Sequence, residues 1–342
     1  MSCTLSRFRH AGLASAILLA LLAGAPDAWC GETIFEDDFN QGGTCAWSSG
    51  AGNPSTIRSF CVRTPSITLA PGDLLLACYY FRTPNTETVG IRSWSSELEG
   101  GVLHALVYAT RDTQQTPIER QPPGTVSTSV CGIADTSGNA TYASWVYGAH
   151  DPLATLDLPA DDGSGKPLAQ ELAPAQPLFV EMLLSNPSDV PIQAYVTLGA
   201  TAVAPAVPYT RTDTYLTYSA SINIPPDGVP HTVSAACNAP TGVQFWRLST
   251  ETHSHATEAK LKNGLTPLVV STDWEHPSAQ EYSAPGFYSF AGGSLGYSCT
   301  YVNVSGQPIT TGNALTDEIC VGIGHFFPAT RPYLCFNSTG PL

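Results

Sequence analysis

Apolar positions along this chain fall in short runs. Ser66 to Leu69, Leu74 to Phe81, Val102 to Tyr108, Pro177 to Leu184 and Ile192 to Leu198 each mix branched, aromatic and small apolar residues, and each is bounded by Gly, Pro, Asn or Asp. Side chains alternate across a β-strand with a period of two, and the bounding residues supply turns, so each run predicts a strand. Further runs predict strands at Thr214 to Ile224, Thr232 to Ala236, Val243 to Leu248, His253 to Leu261, Leu265 to Ser271, Gly286 to Phe290, Leu295 to Asn303 and Glu318 to Phe327. No stretch sustains the three-and-four spacing of an amphipathic helix.

The pattern therefore predicts an all-β fold of two tandem antiparallel β-sandwiches. The small, uncharged, proline-spaced stretch from Gly199 to Pro208 suits an interdomain connection. It divides the chain into an N-terminal sandwich over 31–205 and a C-terminal one over 206–342. Composition agrees: with 12% charged residues, 30 Gly and 28 Pro, the chain resembles many strands joined by tight turns.

The first thirty residues read differently. Arg7 and Arg9 precede an apolar run from Ala11 to Ala23, the layout of a secretory signal peptide over 1–30. The run is shorter than the ~20 residues of a membrane span, so the reading is an exported protein, periplasmic or extracellular, without a membrane span. A net charge of −14 argues against nucleic acid as a partner.

Ten cysteines in an exported chain are expected to pair. Beyond Cys3 and Cys30 they fall into two sets, Cys45, Cys61, Cys78 and Cys131, then Cys237, Cys299, Cys320 and Cys335. A structural zinc is the rival reading, and the lack of any Cys-x-x-Cys spacing weighs against it. A His-Glu-x-x-His motif is also missing.

The candidate chemistry lies at His253 and His255. Two residues apart on a strand, both imidazoles would share a face and could bite one metal ion; neutral imidazole suits copper or zinc. The plain alternative is a pair of polar residues on a wetted strand face.

Context comes from a resemblance. Ile224-Pro-Pro-Asp-Gly228, the His-Ser-His segment, Ser298-Cys-Thr-Tyr-Val-Asn303, Thr310-Thr-Gly312 and Asp317-Glu-Ile-Cys-Val-Gly-Ile-Gly-His-Phe-Phe-Pro328 resemble the C-terminal domain of the copper type II, ascorbate-dependent monooxygenases. Gly101-Val-Leu-His-Ala-Leu-Val-Tyr108, Ser144-Trp-Val-Tyr-Gly148 and Leu178 to Pro187 are similar, more faintly, to that family's N-terminal domain. The resemblance implies two jelly-roll-like domains and disulfides Cys237 to Cys335, Cys299 to Cys320 and Cys78 to Cys131, with Cys45 then left to Cys61.

It also implies copper as cofactor, ascorbate as reductant and a small-molecule substrate hydroxylated with dioxygen. His253 and His255 match two histidines of the family's oxygen-binding copper site; the third ligand, a Met, is Ile319 here. At the family's electron-storing site, only His104 remains, because the other two ligand positions are Leu103 and Leu183. Met182 stands next to one of those lost positions and not in the C-terminal domain. Remaining candidates to complete a site are Glu251, His276 and His325, although His325 lies ~20 Å along an extended strand from Ile319. Glu251 stands where peptide-hydroxylating members carry an Arg, which points away from substrates bearing a carboxylate. Two further readings stay open: a non-catalytic copper-binding descendant, and a metal-free β-sandwich binding module.

Overall fold

The structure is a computed structural model that describes residues 44–45, 59–112, 114–133, 142–290, 292–314 and 316–337. The signal-peptide reading, Cys3 and Cys30 fall outside these residues. Among the described residues the regular elements are all β-strands, and no helix is long and apolar enough to cross a membrane. Phe35–Leu342 form one compact unit.

Three sheets carry the fold. A five-stranded antiparallel sheet orders Val126–Ser127, Leu74–Arg82, Pro177–Ser185, Val102–Arg111 and Tyr142–Ala149. A four-stranded antiparallel sheet orders Pro230–Asn238, Ser294–Val302, Ala256–Asn263 and Thr266–Ser271. Between them runs one long sheet. Its N-terminal part contains Ile192–Ala202, Val89–Glu99 and Leu168–Leu172; its C-terminal part contains Thr210–Tyr218, Cys320–Phe327 and Gln244–Thr252. The two parts join through a parallel pairing of Leu168–Leu172 with Thr210–Tyr218. The expected connection over 199–208 thus continues as strand to Ala202 and leaves only a short loop before Thr210.

Each half is a sandwich. In the N-terminal half, Ala105, Val107, Val180, Met182 and Trp94 share a core between the five-stranded and long sheets. In the C-terminal half, Phe245, Leu248, Phe326, Leu261, Tyr297 and Tyr301 fill the core between the long and four-stranded sheets. A third core lies between the halves. Tyr80, Leu106, Tyr108, Trp145 and Phe179 pack there against Leu216, Tyr218, Ile319, Val321 and Ile323.

That third core explains why several strands read as continuous apolar runs. Pro177–Ser185 is buried at every position but its last, and Cys320–Phe327 at every position, because both their faces are covered. Even-numbered residues of Pro177–Ser185 enter the N-terminal core, while Phe179, Glu181 and Leu183 face the C-terminal half. Stacking of Tyr108 on Phe179 at 4.9 Å, with Trp145 edge-on to Tyr108 at 5.5 Å, anchors this junction.

Cys78–Cys131, Cys237–Cys335 and Cys299–Cys320 are disulfide-bonded, as the resemblance implies. Cys61 is disulfide-bonded as well, and the backbone register sets Cys45 directly opposite it. Disulfides at this density fit an oxidising compartment.

Three expected strands are corrected. The run from Thr214 to Ile224 leaves the long sheet after Tyr218 and resumes as Asn223–Ile224 in a separate two-stranded sheet. Gly286 to Phe290 is loop, paired with Gln244–Thr252 by an isolated bridge between Tyr288 and Phe245. The run from His253 breaks at a turn: one strand ends at Thr252 and the next begins at Ala256. His253 and His255 therefore flank Ser254 in the turn that carries the chain from the long sheet to the four-stranded sheet, and are not alternate residues of one strand.

Candidate metal centre between the halves

The turn at Ser254 is held by a carboxylate distant in sequence. Glu318 is fully buried, and its oxygens accept the backbone N–H of His253 at 3.0 Å and of His255 at 2.7 Å. Burial raises the Glu318 carboxyl to about 7 against the pull of those N–H donors.

Both imidazoles are fixed through the same nitrogen. Nδ1 of His253 donates to the carbonyl oxygen of Asp317 at 2.9 Å, and Nδ1 of His255 donates to Glu318 Oε1 at 3.2 Å. A carbonyl oxygen only accepts, so Nδ1 of His253 carries the hydrogen and its Nε2 carries the lone pair. Holding Nδ1–H on a carbonyl or carboxylate is how proteins orient a histidine that binds metal through Nε2. Burial lowers the His253 pKa, favouring the neutral ring that a metal needs. The donor set therefore fits a borderline ion such as copper.

The rest of the expected set does not gather around this pair. Among the described residues, no third His, Cys, Asp or Glu donor converges with both rings within 4.8 Å. Ile319 is buried in the core between the halves, with its carbonyl oxygen accepting from the Tyr301 hydroxyl at 2.8 Å. Met182 is buried in the N-terminal core, on the other face of its strand. His276 sits in an exposed loop with Nδ1 on Asp273. His325 is buried against Trp246, ring centroids 4.8 Å apart, and burial holds its pKa down to about 3.

Two cavities flank the junction. One, of about 230 Å³, is lined by Leu74, Leu76, Leu103, His104, Leu183 and His253, with Trp274 at its rim. Leu103 and Leu183 thus face the same space as His104 and one member of the His pair. The other, of about 400 Å³, is lined by His150, Arg247, Glu251, His276 and His325.

Between the cavities the fold brings together three donors the sequence does not join. His104 lies on Val102–Arg111, opposite Leu183. His150 directly follows Ala149, which pairs with Ala105, so the two imidazoles are neighbours with ring centroids 5.5 Å apart. Glu251, on Gln244–Thr252 opposite Val321, reaches across from the C-terminal half and accepts from His150 Nε2 at 3.1 Å. One ligand atom from each of the three lies within 4.8 Å of the other two.

Buried charge is concentrated here. Glu251 is 1% exposed. Beside it Glu181 is buried too, and burial together with the charge of Glu251 pushes its carboxyl up to about 8, with Arg120 opposing. Arg120 donates to the carbonyl oxygens of Gly132 and Ile133. Burial, with His150 and His253 nearby, drives the His104 pKa well down.

No family model matches this chain, and no curated protein matches it. Among solved structures it is similar to the major capsid protein P2 from bacteriophage PM2, at 7% identity and a TM-score of 0.28, over 78% of this chain and 97% of that one. It is also similar to a protein of Sulfolobus turreted icosahedral virus, at 10% identity and a TM-score of 0.17, over 79% of this chain and 56% of that one. A triple jelly-roll protein of an archaeal virus gives 10% identity and a TM-score of 0.17, over 82% of this chain and 61% of that one. Scores this low carry nothing about function.

Proposed function

We propose that this is a secreted copper-binding protein of monooxygenase-like build, holding one ion through His253 and His255 beside a cavity suited to a small apolar molecule. The observation that supports it most is the fixing of both Nδ1 atoms, on Asp317 and on Glu318, which leaves both Nε2 atoms as donors. Copper in such a place would supply one-electron chemistry with dioxygen, drawing electrons from ascorbate.

The chain's own residues would do the rest. Leu74, Leu76, Leu103, Leu183 and Trp274 would receive an apolar substrate and exclude water next to His253. Glu318 would keep the turn at Ser254, and with it both rings, in one orientation. Copper content and EPR of wild type beside the His253→Ala, His255→Ala double variant test the binding. One equivalent more in wild type than in the variant is expected; wild type without copper ends the proposal. Ascorbate-driven oxygen consumption above that of free copper tests the oxidation.

A second reading is copper holding without turnover. It is favoured by the apolar Leu103 and Leu183, which leave His104 as one imidazole where the family's electron-storing site has three. Stoichiometric copper with no oxygen consumption above the free-copper control would select it.

A further inference from the structure

We propose that His104, His150 and Glu251 form a second metal site, for a divalent ion of the zinc or iron(II) kind, which fastens the N-terminal half to the C-terminal half. The site needs nothing from the His253 and His255 pair, and two of its three ligands have no counterpart in the family resemblance.

The donor types set the class of ion. Two imidazoles and one carboxylate are the ligand set of open zinc sites and of non-haem iron(II) sites, both of which keep positions free for water. Donor atoms about 2.1 Å from a tetrahedral ion lie roughly 3.4 Å from one another. The three donors already sit within 4.8 Å of each other, so small side-chain rotations bring them to bonding distance. Each is positioned by a strand or strand end: two by the paired strands of the five-stranded sheet, one by the long sheet.

Burial without partners points the same way. Nε2 of His104 is shut off from solvent and has no hydrogen-bond partner, in a residue only 4% exposed. As a purely structural residue it would leave a polar atom unsatisfied, which folded proteins rarely tolerate. Glu251 is likewise buried, its one partner among the described side chains being His150. A buried carboxylate set against two imidazoles is a place where a dication offsets charge. The larger cavity, which His150 and Glu251 line, gives an ion its entry and room for bound water.

The test uses the full-length His253→Ala, His255→Ala protein, so that failure of the copper proposal leaves this one standing. Zn(II) content after dialysis, the Zn(II)-induced rise in Tm, and the visible spectrum with Co(II) are read in that background and with Glu251→Gln or His150→Ala added. Glu251→Gln keeps the side chain's shape and its hydrogen bond, so the variant folds, as far-UV circular dichroism checks. One equivalent of Zn(II), a raised Tm and a four- or five-coordinate Co(II) spectrum are expected, all lost in Glu251→Gln and in His150→Ala. No Zn(II) uptake in the double variant, or uptake unchanged by both added substitutions, overturns the proposal.

Discussion

The carboxylate of Glu318 receives the backbone N–H groups of both His253 and His255, at 3.0 Å and 2.7 Å, from the far end of the C-terminal half. Two backbone donors therefore depend on one buried side chain. Glu318→Ala would remove both hydrogen bonds, at about 1 kcal/mol each, and would free the ring of His255. Denaturant unfolding should show that loss, with copper affinity falling alongside it. Glu318→Gln, which keeps one accepting oxygen, should lose less of each.

The same relationship shows what the sequence conceals. His253 to Leu261 contains no Gly, Pro or Asn, so its pattern reads as strand throughout. The turn at Ser254 is imposed by a partner more than sixty residues away, which no local signal reports. Legible, by contrast, were the strands Leu74–Arg82, Pro177–Ser185 and Cys320–Phe327, whose apolar runs follow from burial on both faces. Val89–Glu99 escaped because its exposed face carries Arg92, Glu97 and Glu99, and that alternation resembles a polar loop. His150 gave no signal either: its meaning comes from Glu251, 101 residues on, and from a register that only the folded sheet supplies.

Glu181 makes the stability of the junction depend on pH. Its folded pKa of about 8 lies above the ordinary carboxyl value, so the folded state holds a proton the unfolded chain releases. The protonated form's contribution is complete below the unfolded pKa and is lost as pH rises through about 8. Glu181→Gln mimics the protonated acid. Relative to wild type it should gain stability on going from about pH 5 to about pH 9, by on the order of 2–4 kcal/mol. Parallel urea titrations at the two pH values measure this; a difference independent of pH would show that Glu181 is not protonated in the fold.

The disulfides should rank by the chain they enclose. Cys237–Cys335 spans 98 residues and Cys299–Cys320 spans 21. Loop-closure entropy assigns roughly 4.7 kcal/mol to the first and about 3 kcal/mol to the second. Replacing each pair by Ala in turn should lower the midpoint of unfolding in that order. The reverse order would mean that packing of the buried sulfurs, and not the constraint on the unfolded chain, dominates.

Leu183 stands directly across the sheet from His104, and both face the cavity that His253 also lines. Leu183→His would therefore set a second imidazole beside the first, since directly opposed side chains have Cβ atoms about 5 Å apart. Leu103 lines the same cavity, so Leu103→His together with Leu183→His would restore the three-histidine set that the family resemblance implies for this half. Without metal, the double variant should be destabilised by roughly 2–4 kcal/mol, because two apolar residues become buried imidazoles with no assured partners. Added Cu(II) should recover part of that loss by binding the folded state alone. An unfolding midpoint that rises with Cu(II) in the double variant, measured with His253 and His255 replaced by Ala and with Glu251→Gln to silence the other donors, would show that the apolar substitutions at 103 and 183 are what separate this half from a copper site. A midpoint indifferent to Cu(II) would mean that the strands themselves have moved away from ligand geometry.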